Sequence, residues 1–104
     1  MTIDTHPTEE VLREVARERQ RQDARWGEQN HPDGASDVYA ATADHYREIC
    51  QAHAAEGHCT WKDILLEEVW EAFAEPDPAK LRAELVQVAA VAAAWAEAID
   101  RRTV

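Results

Sequence analysis

The stretch from Thr60 to Gln87, TWKDILLEEVWEAFAEPDPAKLRAELVQ, decides the fold. Thr60 followed by Asp63 reads as a capping box. It opens a helix that carries Ile64, Leu65, Val69, Trp70 and Phe73 at helical spacing until Pro76 stops it. Asp77 and Pro78 restart the chain as a further helix, because proline is tolerated at a first helical position and the aspartate before it can cap. The connection from Glu75 to Pro78 is so short that the two helices are expected to lie antiparallel and adjacent. Residues three apart are neighbours on a helix surface, so Glu68 and Glu71 form one edge and Glu84 and Gln87 another. All four sit beside apolar positions, at the margin of the expected seam. Three carboxylates and an amide oxygen aimed at one gap make a donor set for a hard divalent cation. Two carboxylates about 4 Å apart repel by roughly 4 kcal/mol at an effective dielectric near 20, which a cation such as Mg²⁺ would offset. The same spacing also describes a solvated acidic face, with Glu67, Glu68, Glu71 and Glu75 as plain charged surface.

Outward from this core the chain reads as all-α. The last helix continues to about Arg101, with Leu81, Leu85, Val88, Val91, Ala92, Trp95 and Ile99 inward and Arg101 and Arg102 at its negative end. Upstream, Ser36 looks like the cap of a helix reaching about Ala55, with Val38, Tyr39, Ala43, Tyr46 and Ile49 on one face and Gly57 placed to end it. A first helix runs from about Thr8, as cap, to about Ala24, with Val11, Leu12 and Val15 as a thin apolar stripe among four arginines. Turn formers over residues 25–35, among them Gly27, Asn30, Pro32 and Gly34, argue for a loop, and residues 1–7 are expected to be disordered. The 104 residues make a single domain.

A formal charge of −10, from 21 acids against 11 bases, argues against nucleic acid or an anionic membrane as a partner. The longest apolar run, Val88 to Ala98, is too short to span a bilayer. Cys50 and Cys59 are the only cysteines, and no basic-then-apolar leader opens the sequence, so a cytoplasmic protein with reduced thiols is expected. Cys50, His53, His58 and Cys59 invite a zinc reading, but their spacing fits no standard pair-of-pairs site. No Gly-rich phosphate loop exists, since Gly27, Gly34 and Gly57 are isolated.

The string Leu66-Glu67-Glu68-Val69-Trp70-Glu71-Ala72, followed by Leu81-Arg82-Ala83-Glu84-Leu85-Val86-Gln87, resembles the metal-binding core of the MazG-like all-α nucleoside triphosphate pyrophosphohydrolases. In that pattern two glutamates separated by two residues are followed, after a spacer, by a glutamate and an aspartate with the same separation. Glu68, Glu71 and Glu84 match; Gln87 stands where aspartate is expected. The tract Arg25-Trp26-Gly27-Glu28-Gln29-Asn30-His31-Pro32 is also similar to small phage and actinobacterial members. The resemblance implies a four-helix MazG-like bundle completed by oligomerisation, as a homodimer or homotetramer. It implies hydrolysis of a nucleoside triphosphate between the α and β phosphates, giving a monophosphate and pyrophosphate. Mg²⁺, with Mn²⁺ as a substitute, would be held by Glu68, Glu71, Glu84 and Gln87, and Glu67 or Glu71 would orient the attacking water. Lys62 and Arg82 are candidates for phosphate contact, Trp26 for base stacking, and Asn30 and His31 for reading base or ribose. Gln87 brings no charge, so the other reading is a degenerate relative that binds nucleotide or a protein partner without turnover.

Overall fold

The computed structural model of the chain describes residues 6–102. Four helices follow one another: α1 (Pro7–Trp26), α2 (Ala40–Ala55), α3 (Trp61–Phe73) and α4 (Pro78–Arg102), and a single 3-10 turn, Asp37–Tyr39, leads into α2. No strand occurs among the described residues. The helix ends show why these segments form. The Thr60 hydroxyl accepts from the Asp63 backbone N–H at 3.2 Å while the Asp63 carboxylate accepts from the Thr60 N–H at 3.0 Å, so the capping box is complete. Gly57, at φ +81°, ends α2 in a Schellman arrangement: the His58 N–H reaches the His53 carbonyl and the Gly57 N–H the Ala54 carbonyl. Ser36 caps the 3-10 turn through Val38 N–H.

Two ends differ from expectation. α1 is capped by His6, whose Nδ1 accepts from Thr8 N–H at 3.1 Å, and not by Thr8. Pro7 takes the first helical position, where its missing N–H costs nothing, and that pushes the start one residue upstream. Pro7 is helical and His6 caps it, and the rest of the 1–7 expectation lies outside the described residues. At the other end α1 runs through Arg25 and Trp26 to Gly27, at φ +69°, so the loop proper begins there and not at residue 25.

The chain divides into two compact units, one of residues 1–32 with 93–104 and the other of residues 33–92. In the first, the Thr8 hydroxyl is engaged by both carboxylate oxygens of Glu97, at 2.9 and 3.0 Å, tying the start of α1 to the last third of α4. Val11 and Ala93 are its buried apolar residues, whereas Leu12 and Val15 of the expected stripe are about half exposed.

In the second unit α2 packs on α3. Tyr46 stacks on Trp70 with ring centroids 5.8 Å apart and planes 4° from parallel, and Tyr39 and Phe73 meet the same indole edge-on. The Ser36 N–H donates to the Phe73 carbonyl at 2.8 Å, pinning the entrance of α2 to the exit of α3. Below the aromatics the seam carries polar contacts about one helical turn apart: Arg47 to Glu71 at 3.3 Å, the Cys50 thiol beside Glu67, and His53 Nδ1 to Asp63 at 2.9 Å. As the α2 number rises the α3 number falls, so the two helices are antiparallel. Buried residues here are small, Ala43, Cys50 and Ala72, joined by Leu81 and the paired Asp63. Phe73 and Leu85, expected inside, are 46% and 50% exposed, and Val38, Val86, Ala92 and, in the first unit, Ile99 are exposed as well. The inward face of α4 in this unit includes Leu81 and Glu84, and Leu85 lies a further step round the helix.

The capping box yields a stability prediction. Thr60→Ala is expected to cost about 1 kcal/mol, read from urea denaturation followed by circular dichroism. The His53 contact, with the Thr60 N–H, lowers the Asp63 carboxyl from its ordinary 3.8 to about 2. A depressed carboxyl stabilises fully above its unfolded value and loses that contribution as pH falls toward its folded one. Stability is therefore expected to drop between about pH 4 and pH 2 through this group, and the corresponding step is expected to vanish in Asp63→Asn.

Candidate metal centre

Glu68 and Glu71 rise from α3 one turn apart, and Glu84 comes from the second turn of α4. One carboxylate oxygen from each lies within 4.8 Å of the other two. Glu71 and Glu84 are 13 residues apart in sequence, a stretch that would span about 20 Å as uninterrupted helix, so the chain reverses between them as the short connection required. All three side chains are partly buried. Burial, followed by repulsion from Glu71, Glu84 and Glu67, raises the Glu68 carboxyl above its ordinary value. Unit charges 4.8 Å apart repel by roughly 3.5 kcal/mol at an effective dielectric near 20, and closer ones by more, a figure that the water reaching these side chains reduces.

A protein cation meets this charge. Arg47, on α2, bonds Glu71 Oε1 through Nε at 3.4 Å and a terminal nitrogen at 3.3 Å, and its other arm bonds Asp44 at 2.8 Å. Asp44 first, and Glu71 after it, hold the guanidinium more firmly charged than usual. Arg47 lines a cleft of about 320 Å³ together with four acids, Asp44, Glu71, Glu75 and Glu84, and the small side chains of Ala40, Ala43 and Ala74. That is the lower end of the ~300–1,000 Å³ range of small-molecule sites, ample for an ion and a phosphate group.

The donor chemistry fits a hard cation: three oxygen donors, from two helices, close enough for one coordination sphere after small side-chain adjustments. Among the described residues no other group of three His, Cys, Asp or Glu converges in this way. The zinc reading of Cys50, His53, His58 and Cys59 is thereby without a donor cluster; the imidazoles instead face Asp63 and Glu56.

The remaining candidates are placed as follows. Gln87, one turn beyond Glu84, is exposed. Glu67 is partly buried and lies against Cys50 on the α2 side. Lys62 and Arg82 are exposed; Lys62 is at the far end of α3 from Glu71, and Arg82 is two residues from Glu84, a spacing that turns side chains away from each other. Trp26, Asn30 and His31 belong to the first unit, each engaged locally. Arg25 lies over the Trp26 ring at 4.7 Å, Asn30 donates to Glu28 at 2.9 Å, and His31 pairs with Gln29 at 3.1 Å. Two larger recesses, of 700 and 530 Å³, flank this end of α1, but exposed side chains wall them and no acidic cluster enters. Sequence reasoning missed Arg47. Its signal was a charged residue in the stripe Ala43, Arg47, Cys50, where helical periodicity faces the seam.

No family model, no curated protein and no solved structure matches the chain.

Two substitutions test the centre as a cation site. Glu68→Gln is expected to raise the melting temperature in chelator-treated buffer, because it removes one of three crowded charges, and to abolish stabilisation by Mg²⁺ or Mn²⁺. Arg47→Gln is expected to tighten Mn²⁺ binding several-fold in titration calorimetry, since Glu71 no longer has a competing cation.

Proposed function

We propose that this chain is a divalent-cation-dependent nucleoside triphosphate pyrophosphohydrolase, cleaving between the α and β phosphates to release a nucleoside monophosphate and pyrophosphate. The observation that carries the reading is the convergence of Glu68, Glu71 and Glu84 from two helices beside a cleft that also holds Arg47. It agrees with the MazG-like pattern in the sequence.

In this reading Glu68, Glu71 and Glu84 would hold Mg²⁺ or Mn²⁺, which would supply positive charge to offset that of the phosphates. Glu71 would orient the attacking water through Oε1, the oxygen that Arg47 holds here, once Arg47 turns to a phosphate. Glu67 becomes the weaker candidate for that role, because it lies toward Cys50. Arg47 supplies a fixed positive charge at the cleft, suited to a phosphate oxygen once it parts from Glu71. Lys62 and Arg82 give further positive charge on the same unit. The fold in this proposal is a MazG-like bundle completed by a second copy in a homodimer or homotetramer. Exposed Leu85 and Val86, at 50% and 55%, flank the Glu84 turn of α4 and give such a copy an apolar surface to cover. No helix among the described residues is long and apolar enough to cross a membrane, and a cytoplasmic setting agrees with the proposed substrate.

Two observations favour a second reading, a degenerate relative that binds nucleotide or a protein partner without turnover. Gln87 lacks the charge of the expected aspartate, and Arg47 already offsets part of the cluster's charge. A nucleotide panel with pyrophosphate readout in Mg²⁺ or Mn²⁺ separates the two. The enzyme reading expects release from at least one triphosphate, reduced a hundredfold or more in Glu68→Ala and Glu71→Ala with helicity unchanged; a hundredfold corresponds to about 2.7 kcal/mol of transition-state stabilisation. Binding of nucleotide or ion with no release from any triphosphate establishes the second reading. Gln87→Asp is expected to tighten Mg²⁺ binding by restoring a fourth charge, and weaker or equal binding in calorimetry argues against a ligand role for this position.

A further inference from the structure

Neither reading of the carboxylate centre uses the two thiols. Cys50 is buried on the third turn of α2, and Cys59 is exposed in the connection to α3. They are nine residues apart in sequence, yet their sulfurs lie 3.8 Å from each other. The Schellman turn at Gly57 accounts for this, because it folds the connection back over the last turns of α2. The fold thus holds two thiols in near-contact without any metal donor set around them.

We propose that Cys50 and Cys59 are a reversible disulfide-forming pair, oxidised by peroxide and reopened by dithiols, a modification site that stands whether or not the carboxylate centre is an enzyme. Closing 3.8 Å to the ~2.05 Å of a disulfide asks for a movement that residues 57–59, which are not helical, can make with α2 and α3 intact. The capping box and the His53 bond to Asp63 anchor the end of that connection, so Cys59 stays within reach of Cys50.

The two sulfurs have different parts. Cys59 is open to solvent and meets the oxidant first: its thiolate attacks one peroxide oxygen, the O–O bond breaks, and hydroxide leaves to give Cys59 sulfenic acid. The Cys50 sulfur then attacks the Cys59 sulfur, the S–S bond forms, and the sulfenic oxygen departs as water carrying the Cys50 proton. Two thiols and one peroxide become a disulfide and two waters. Burial, with Glu67 next to it, pushes the Cys50 thiol up to about 12, so it does not meet peroxide first; it resolves the sulfenic acid because its sulfur is held 3.8 Å from that of Cys59, a proximity that offsets its low thiolate fraction. Oxidation also changes what Glu67 faces on α2, a thiol hydrogen before and a disulfide sulfur after.

The experiment uses the full chain with hydrogen peroxide, read by intact mass, thiol titration and non-reducing electrophoresis. The expected product has lost two hydrogens and both free thiols, runs as an uncrosslinked chain, melts higher than the reduced protein by about 5 °C or more, and reverts with dithiothreitol. Cys59→Ser, at an exposed position, is expected to fold and to leave Cys50 reduced under the same treatment. Cys50→Ser is expected to accumulate sulfinic acid at Cys59 for want of a resolving partner. Retention of both thiols in the wild type, sulfinic acid at Cys59 with Cys50 intact, or a crosslink between Cys59 residues of two chains overturns the proposal. Because mass and thiol count are read without nucleotide, failure here is separate from failure of the hydrolase reading.

Discussion

The antiparallel register of α2 against α3 is the constraint on which the second unit depends. It is set at one end by the Tyr46–Trp70 stack and the Ser36–Phe73 backbone bond, and at the other by the His53–Asp63 contact inside the capping box. Between those ends the Arg47–Glu71 and Cys50–Glu67 contacts follow about one helical turn apart. Such a ladder is sensitive to sliding, because a shift by one residue would part Arg47 from Glu71 and Asp63 from His53 together. Burying polar groups without partners is costly, so the ladder specifies register more than it adds stability. Among the described residues no buried side-chain nitrogen or oxygen lacks a partner.

The same register assigns roles to the acidic run of α3. Glu67 is committed to the α2 side at Cys50, while Glu68 gathers its charge from Glu71 and Glu84. The result is a cluster of three acids with one flanking base, not a uniformly acidic face. Burial is the largest influence on Glu68, followed by repulsion from its acidic neighbours. The arrangement keeps like charges near each other at a cost, and a cation could offset it.

Local signals were the legible part of this chain. Thr60 with Asp63, Gly57 and the Asp77-Pro78 restart each carry their own hydrogen-bond logic within a few residues, and the start of α3, the end of α2 and the start of α4 fall where that logic places them, whereas Ser36 opens a 3-10 turn and α2 itself begins at Ala40. Glu68, Glu71 and Glu84 were also legible, since periodicity fixes their edges and a four-residue connection fixes which edges meet. What periodicity does not contain is the identity of the facing helix. Arg47 was hidden because an arginine in a half-buried stripe can turn to solvent or to a partner, and only the α2–α3 register chooses Glu71. Leu85 was misplaced for a related reason: an apolar residue marks a face that something covers, without saying that this copy of the chain does so. The cap of α1 was misread because a histidine acting as a cap is far less common than the threonine two residues later.

The geometry of Glu71 joins these threads. Successive residues of a helix are turned by about 100°, so relative to Glu67 the Glu68 side chain is about 100° round and Glu71, four residues on, only about 40°. Glu71 therefore projects between the direction that faces α2 and the direction that faces α4. It is the one acid of the run that can serve both neighbours, and in this structure it does: Arg47 of α2 holds one oxygen while the cluster with Glu68 and Glu84 of α4 claims the side chain from the other side. A cation entering the cluster competes with Arg47 for the same carboxylate, so ion occupancy and the position of a positively charged side chain at the cleft are linked through one residue. The linkage follows from helix periodicity and the α2–α3 register alone. It would persist whatever phosphate or protein ligand the cleft accepts.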